Sequence, residues 1–388
     1  MANLEMGLLI LASVHLLAFG CLHIYITGGL KKIQKLKNLP MPPDDLRLPS
    51  LSVVVAALNE QDHIEGTLVS LLELDYLPLE VIVINDRSTD STAEMIERVA
   101  DQYPALVQLH IDSLPDGWLG KNHALQKGAE QAAGEYILFT DADVVFETHS
   151  VRRAVAHAVE QQVDHLTVLP QIQMPSLLLE SFVVKFARFF LLYFKPWKVP
   201  DPNSSAYVGI GAFNLVRAAA YREAGLHEPI RMRPDDDVQL GKLMKTTGFR
   251  SLMVDGMDEL SVPWYGSLGE LIRGLEKNVL AGVDYQLSRI VLAVSSLICF
   301  YFWPFVALLV VPSPAWWIYL WLCEMMLLSS IQSAVRLKVR WWAMILYPLT
   351  VLLFAYILTR NVFLTYWRGG IQWRGTHYSL KQLRANKT

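Results

Sequence analysis

From Met6 to Ile26 the chain carries no aspartate, glutamate, lysine or arginine. An uncharged apolar run of about 20 residues is what an α-helix needs to cross a bilayer, and few other folds accommodate one. Lys31, Lys32, Lys35 and Lys37 follow at once. A cleaved secretion signal has its positive charges in front and small residues behind. The segment therefore reads as a retained anchor, residues 1–30, with its carboxyl side in the cytosol by the positive-inside rule. Segments 290–311, 316–335 and 341–366 have the same character, and Trp303, Trp316, Trp317, Trp341, Trp342 and Trp367 lie in or near their ends as interfacial aromatics do. Four full spans from an outside amino terminus would leave the basic tail, 368–388, outside, against the charge rule. A cytosolic tail, with one segment re-entrant or lying flat, is the expectation. These segments explain a mean hydropathy of +0.29 and a hydrophobic content of 53%, too high for an ordinary soluble domain. A net charge of −3 gives no general affinity for nucleic acid. Cys21, Cys299 and Cys323 all fall in apolar segments and form no metal-binding or disulfide spacing.

The middle of the chain reads differently. Pro40, Pro42, Pro43 and Pro49 make residues 31–49 a stiff linker. Leu51-Ser-Val-Val-Val-Ala-Ala then reads as a buried parallel strand. Strands are also expected at 81–84, 107–111 and 136–140, with helical spacing at 64–74, 93–100 and 122–133 between them. Alternating strands and helices predict an α/β domain with a doubly wound, mainly parallel, Rossmann-like sheet, expected over residues 50–285. Membrane segments flank it, the carboxyl-terminal ones over 286–367. Neither G-x-G-x-x-G nor a P-loop is present, so a nucleotide would be held by other means.

Polar residues close each predicted strand: Asn59 and Glu60, then Asp86, then Asp141 and Asp143. In an open parallel sheet the carboxyl ends of the strands are where ligands sit. Asp141 and Asp143 are two residues apart, so on extended backbone they share a side. Paired hard oxygens suit Mg²⁺ or Mn²⁺, which bind through one or two carboxylates together with substrate phosphates. As an isolated tripeptide, Asp-Ala-Asp would be read as a polar turn; the apolar strand before it and the other acidic strand ends favour a site. Asp235, Asp236 and Asp237 open a further predicted helix. The helix dipole accounts for one or two acids there and less well for three. A carboxylate in such company can serve as a general base.

With these residues in place, the chain resembles the family 2 glycosyltransferases, inverting enzymes of GT-A fold, over roughly residues 50–285. The resemblance rests on Val53-Val-Val-Ala-Ala-Leu-Asn59-Glu60, on Asp86-Arg-Ser-Thr-Asp90, on Asp141-Ala-Asp143, and on Asp236-Asp237-Val-Gln-Leu240 where the family has E-D-x-x-L. It implies that Ala57, Asn59, Glu60, Asp86, Lys121, Asp141 and Ala142 hold the nucleotide sugar. It implies that Asp143, with Asp141, ligates Mg²⁺ or Mn²⁺ on the diphosphate. Asp237 would be the base; Asp236 stands where Glu is usual, so the choice among Asp235, Asp236 and Asp237 stays open. The family's Q-x-x-R-W is not found; Arg273 is the candidate for its place, with the segment Gln372 to Tyr378 as a second. The implied donor is a nucleotide-diphosphate sugar, with a uridine diphosphate sugar expected. The stretch 177–199, rich in Phe, Tyr and Trp with Lys185, Arg188, Lys195 and Lys198, is expected to lie in the membrane interface, the alternative being a helix packed on the core. One anchor, a GT-A domain and a membrane tail is also the layout of ceramide glucosyltransferase and of the hopanoid- and carotenoid-associated glycosyltransferases. A lipid or polyisoprenoid acceptor at the cytoplasmic face of the inner membrane is then the expectation. The alternatives are a polysaccharide synthase, which the missing Q-x-x-R-W disfavours, and an inactive GT-A scaffold, which the retained acids disfavour.

Overall fold

The run from Leu51 forms strand β1 (Leu51–Ala57), buried at every position. Val53, Val54 and Val55 are fully shielded, each contributing about 1.5 kcal/mol or more by its burial. The computed structural model describes residues 2–373 and 376–386. The further strands are β2 (Leu79–Asp86), β3 (Leu106–Ile111), β4 (Tyr136–Thr140), β5 (Val145–Phe146), β6 (His165–Leu169), β7 (Gln171–Gln173), β8 (Asn214–Arg217), β9 (Ser251–Asp255) and β10 (Leu260–Pro263). Seven of them form one sheet in the order β3-β2-β1-β4-β8-β6-β9. β8 runs antiparallel to both its neighbours, and the other pairs are parallel.

Successive side chains of the sheet point to opposite faces. Val53, Val55 and Leu138 enter one apolar core with the helix Ile64–Leu72. Val54, Ile137 and Phe139 enter another with the helices Gly120–Gln131 and Asp236–Thr246. This is the doubly wound arrangement expected from sequence. The chain moves outward from β1 to β2 and β3, then returns to place β4 on the other side of β1. The order therefore reverses between β1 and β4, and the crevice at such a reversal is where open α/β sheets bind ligands. Asp141 lies immediately beyond β4.

By internal contact the chain divides into two units. The sheet belongs to the first, Ile33–Gln173 and Phe194–Trp264 with the segment from Lys381. Part of the expected linker is packed in this unit: Leu36 is fully buried, and Lys35 bridges to Asp255 beside β9.

The second unit comprises the segment up to Lys32, Met174–Tyr193 and Tyr265–Leu380. It contains four helices long and apolar enough to cross a membrane: Asn3–Leu30, Leu287–Val310, Ala315–Arg336 and Trp341–Trp367. Ile10, Leu17, Leu292, Trp321 and Phe363 project outward from them. The second is interrupted by a π-helical stretch, Leu297–Phe302, just before Pro304, which has no N–H to continue the ladder. The helix Leu177–Phe194 also falls in this unit, apart from its last residue. Two of its cations do not form the exposed polar face that an interfacial helix is expected to have. Lys185 and Arg188 are 1% and 5% exposed, turned inward rather than lining a polar face. Lys195, with φ of 48° and followed by Pro196, ends the helix. Aromatic and basic density cannot by itself tell an interfacial helix from one whose cations have buried hydroxyl partners. In the Gln372–Tyr378 segment, Arg374 and Gly375 lie outside the described residues; the strands on either side, Gly370–Trp373 and Thr376–Ser379, pair antiparallel.

Candidate active site

Lys121 occupies the first turn of the helix Gly120–Gln131. Its ammonium stands 2.7 Å from an oxygen of Asp141 and 3.2 Å from one of Asp236. Four sequence-distant segments make this meeting. β4 delivers Asp141, whose N–H donates to the Gly211 carbonyl at 3.1 Å. Asn122, fully buried, donates to the carbonyls of Ile230 and Arg233 at 2.9 and 3.0 Å, tying the Lys121 helix to the loop that leads into Asp236. The fourth segment is Gly209–Gly211, ahead of β8. A methyl group on Gly211 would come within 2.3 Å of an Asp141 oxygen, so only glycine allows the loop so close.

The three acids at 235–237 have separate engagements. Asp235 is buried and forked by Arg233, Nε and Nη2 each 3.0 Å from a carboxylate oxygen, and it accepts from Gln239 Nε2 at 2.7 Å. It is a structural anchor. Asp236 faces Lys121. Asp237 accepts from the Gly211 N–H at 2.9 Å and, with Lys121, Asp141, Asn214 and His227, lines a small cavity. Of the three, Asp236 and Asp237 line the cavity.

The charges are strongly coupled. Burial and then the Asp236 carboxylate push Asp237 up to about 7, against the opposing pull of Lys121. Burial, then Asp141 and Glu60, push Asp143 up to about 7. Burial favours a neutral Lys121, but Asp141, Asp236 and Asp237 more than offset it and hold the ammonium above the ordinary lysine range. Asp143 Oδ1 is buried with no hydrogen-bond partner. A divalent cation fits here: it would satisfy the orphaned oxygen and neutralise a carboxylate held among carboxylates. Among the described residues no three acidic, histidine or cysteine side chains are already gathered as a metal cage.

The remaining predicted residues take varied places. Ala57 closes β1, fully buried. Asn59 uses its side chain to accept from the Thr89 N–H at 2.8 Å, and the Glu60 N–H donates to Thr92 Oγ1 at 2.8 Å, so the Asn-Glu corner and the Asp86–Asp90 turn build one another. Asp86 is buried and held in a two-point pair by Arg87 at 2.8 and 2.9 Å. The Ala142 carbonyl accepts from Thr67 Oγ1 at 2.9 Å. Arg273 sits exposed on the helix Leu268–Gly274 of the other unit. Sequence reasoning missed His227, whose Nδ1 pairs with the Tyr221 hydroxyl while Nε2 is buried without a partner; burial lowers it to about 3. It missed Asn122 as well, whose hold on the Ile230 and Arg233 carbonyls no local sequence pattern announces.

Residues 52–219 match the model of the Glycosyl transferase family 2. A 4,4'-diaponeurosporenoate glycosyltransferase of Staphylococcus aureus (strain bovine RF122 / ET3-1) is 41% identical over 97 residues, 25% of this chain and 24% of that protein. The same enzyme of strain USA300 is 40% identical over 97 residues, with the same coverage. The alignment thus spans about a quarter of the length of these curated relatives. The mannosyltransferase PcManGT from Pyrobaculum calidifontis, solved in complex with GDP-Man and Mn²⁺, shares the fold: TM-score 0.60 over 92% of this chain and 99% of that one, at 18% identity. By motif and family match, residues 52–219 are similar to glycosyl transferase family 2, on a sheet that shares the fold of the Pyrobaculum enzyme.

Proposed function

We propose that the protein is a membrane-bound inverting glycosyltransferase that moves a sugar from a nucleotide-diphosphate sugar, a uridine diphosphate sugar in the first instance, to a lipid or polyisoprenoid acceptor. The observation that carries this reading is the gathering of Asp141, Asp236 and Asp237 about Lys121 at the carboxyl end of β4. Asp237 is the base. Its carboxylate is oriented by the Gly211 N–H, and with a pKa of about 7 it is poised to take a proton near neutral pH. As the acceptor oxygen bonds to the anomeric carbon and loses its proton to Asp237, the bond from that carbon to the diphosphate breaks, inverting the configuration. Lys121 supplies a fixed positive charge to the departing diphosphate. Asp143, with Asp141, would hold Mg²⁺ or Mn²⁺, which when bound offsets diphosphate charge; the Mn²⁺ in the Pyrobaculum complex supports that choice. The diaponeurosporenoate named in the S. aureus relatives supports a lipid-soluble acceptor. Lys31, Lys32, Lys35 and Lys37 beyond the first apolar helix support a cytoplasmic catalytic domain at the inner membrane.

The test is the full chain in lipid nanodiscs with a panel of nucleotide sugars and Mn²⁺ or Mg²⁺, following free nucleotide diphosphate and labelled lipid product together. Asp143→Asn should abolish turnover and weaken donor binding. Asp237→Asn should keep donor binding and stop transfer. Undiminished activity in both variants would overturn the assignment.

A further inference from the structure

Several arginines of the helical unit, half-buried or exposed, are answered by carboxylates. Arg340 meets Glu180 at 2.9 Å, and Arg360 and Arg368 meet Glu276 at 3.6 and 2.8 Å. Lys185 and Arg188 differ from these. They stand three residues apart on the helix Leu177–Phe194, so they share a face. Both are more than nine-tenths buried, and among the described residues neither has a carboxylate within 4.0 Å. Lys185 hydrogen-bonds the Tyr347 hydroxyl and lies 4.2 and 3.8 Å from the ring centres of Tyr301 and Tyr347. Arg188 Nη1 donates to Ser329 Oγ at 2.5 Å. Arg188 Nη2 is buried with no partner.

A guanidinium stays charged wherever it is placed, and a buried charge without a counter-ion is costly. Hydroxyls and aromatic faces offset part of that cost but leave half of the arginine fork unused. The unused N–H groups beside a second cation form the donor set that recognises a carboxylate or phosphate. Lys185 points the same way: burial, then the Arg188 charge, pull it well below the ordinary lysine range, and an anion would restore its charge. Tyr301, Ser329 and Tyr347 lie on helices with the length and apolarity of membrane spans, so the anion that reaches them is the head of an amphipathic molecule. We propose that Lys185 and Arg188 form a binding site for the acidic group, carboxylate or phosphate, of a lipid.

The experiment uses the full chain, delipidated in a neutral detergent. It is offered phosphatidylglycerol, phosphatidylcholine or inorganic phosphate, and binding is read by native mass spectrometry and by the thermal unfolding midpoint. The wild type should retain phosphatidylglycerol in preference to phosphatidylcholine and gain stability from it. Arg188→Met and Lys185→Met should each lower that affinity about ten- to hundredfold, the loss expected for one hydrogen bond to a charged group. Should Arg188→Met fail to fold, Lys185→Met alone decides. Equal retention of the two lipids by the wild type, or unchanged affinity in the folded variant, overturns the site. Inorganic phosphate matching phosphatidylglycerol in effect overturns the lipid as its source. These readouts do not depend on transferase activity, so they stand or fall separately from the proposed reaction.

Discussion

Asp143→Asn is expected to inactivate the protein and, at pH 8, to stabilise it. Burial and the neighbouring Asp141 and Glu60 carboxylates raise Asp143 from 3.8 to about 7. A carboxyl whose folded pKa lies above its unfolded one favours the folded state only while protonated. Its contribution is fully present below about pH 4 and is lost as pH rises through about 7. At 1.36 kcal/mol per pH unit the gap corresponds to a ceiling of about 4 kcal/mol, and solvent reaching part of the side chain brings the expectation to about 1–3 kcal/mol. Asparagine removes the charge and keeps the shape. The variant should therefore unfold at a higher temperature than the wild type at pH 8, by roughly 2–4 °C for each kcal/mol, and the gain should vanish near pH 4. The second arm is Mn²⁺. At a hundredfold excess over its dissociation constant it should add about 2.7 kcal/mol to the wild type and much less to the variant. Tryptophan fluorescence during heating reads both arms. A variant less stable than wild type at pH 8, or one that keeps the full Mn²⁺ response, would refute the reasoning.

Lys121→Met removes the cation shared by Asp141 and Asp236 and should cost about 3–5 kcal/mol at pH 8. That deficit should shrink as pH falls below about 7 and the crowded carboxyls protonate, which a pH series of thermal unfolding would reveal. Gly211→Ala drives a methyl to 2.3 Å from an Asp141 oxygen; overpacking of about 1–3 kcal/mol should leave the protein folded while nucleotide-sugar turnover falls at least about tenfold. Glu276→Gln leaves Arg360 and Arg368 without their carboxylate and should cost about 1–3 kcal/mol, the lower end because both arginines are partly exposed, seen as a lower unfolding midpoint with donor binding unchanged.

What was legible in the sequence was what periodicity and chain order encode. β1 and β4 are short unbroken apolar runs, so their ends, and hence Asn59 and Asp141, could be placed to within a residue. The reversal of strand order follows from alternating strands and helices. The Lys121 contact was not legible, because it depends on Asn122 clamping a loop more than a hundred residues away. Nor could sequence separate Asp235 from its neighbours: three identical residues are told apart by their partners, Arg233 buried against the first, Lys121 beside the second and the Gly211 N–H on the third. Asp86 looked like a free strand-end acid, yet Arg87, with φ of 60°, folds back on it. The inward turn of Lys185 and Arg188 on the helix Leu177–Phe194 was hidden for the opposite reason. Its composition suits an interface and an interior equally, and only the serine and tyrosine partners on other helices decide where Lys185 and Arg188 go.

The charge inventory of the proposed catalytic centre constrains the order of events. Asp141, Asp143, Asp236 and Asp237 gather near the ammonium of Lys121 there, and Asp143 and Asp237 are already pushed up to about 7 by burial and crowding. A nucleotide-diphosphate sugar brings further negative charge into the same crevice. Lys121 cannot serve both partners fully, because Asp141 and Asp236 already hold it at 2.7 and 3.2 Å. A donor entering alone would meet net repulsion, so its affinity should fall steeply when divalent cation is chelated and should be partly recovered at lower pH, where Asp143 and Asp237 are neutral. Asp143→Asn should mimic that recovery at pH 8, binding donor without metal more tightly than the wild type does under the same condition, although it transfers nothing. Calorimetric titration of the donor into chelator-treated wild type and variant separates this from a purely structural role for Asp143, for which metal-free affinity would be the same in both.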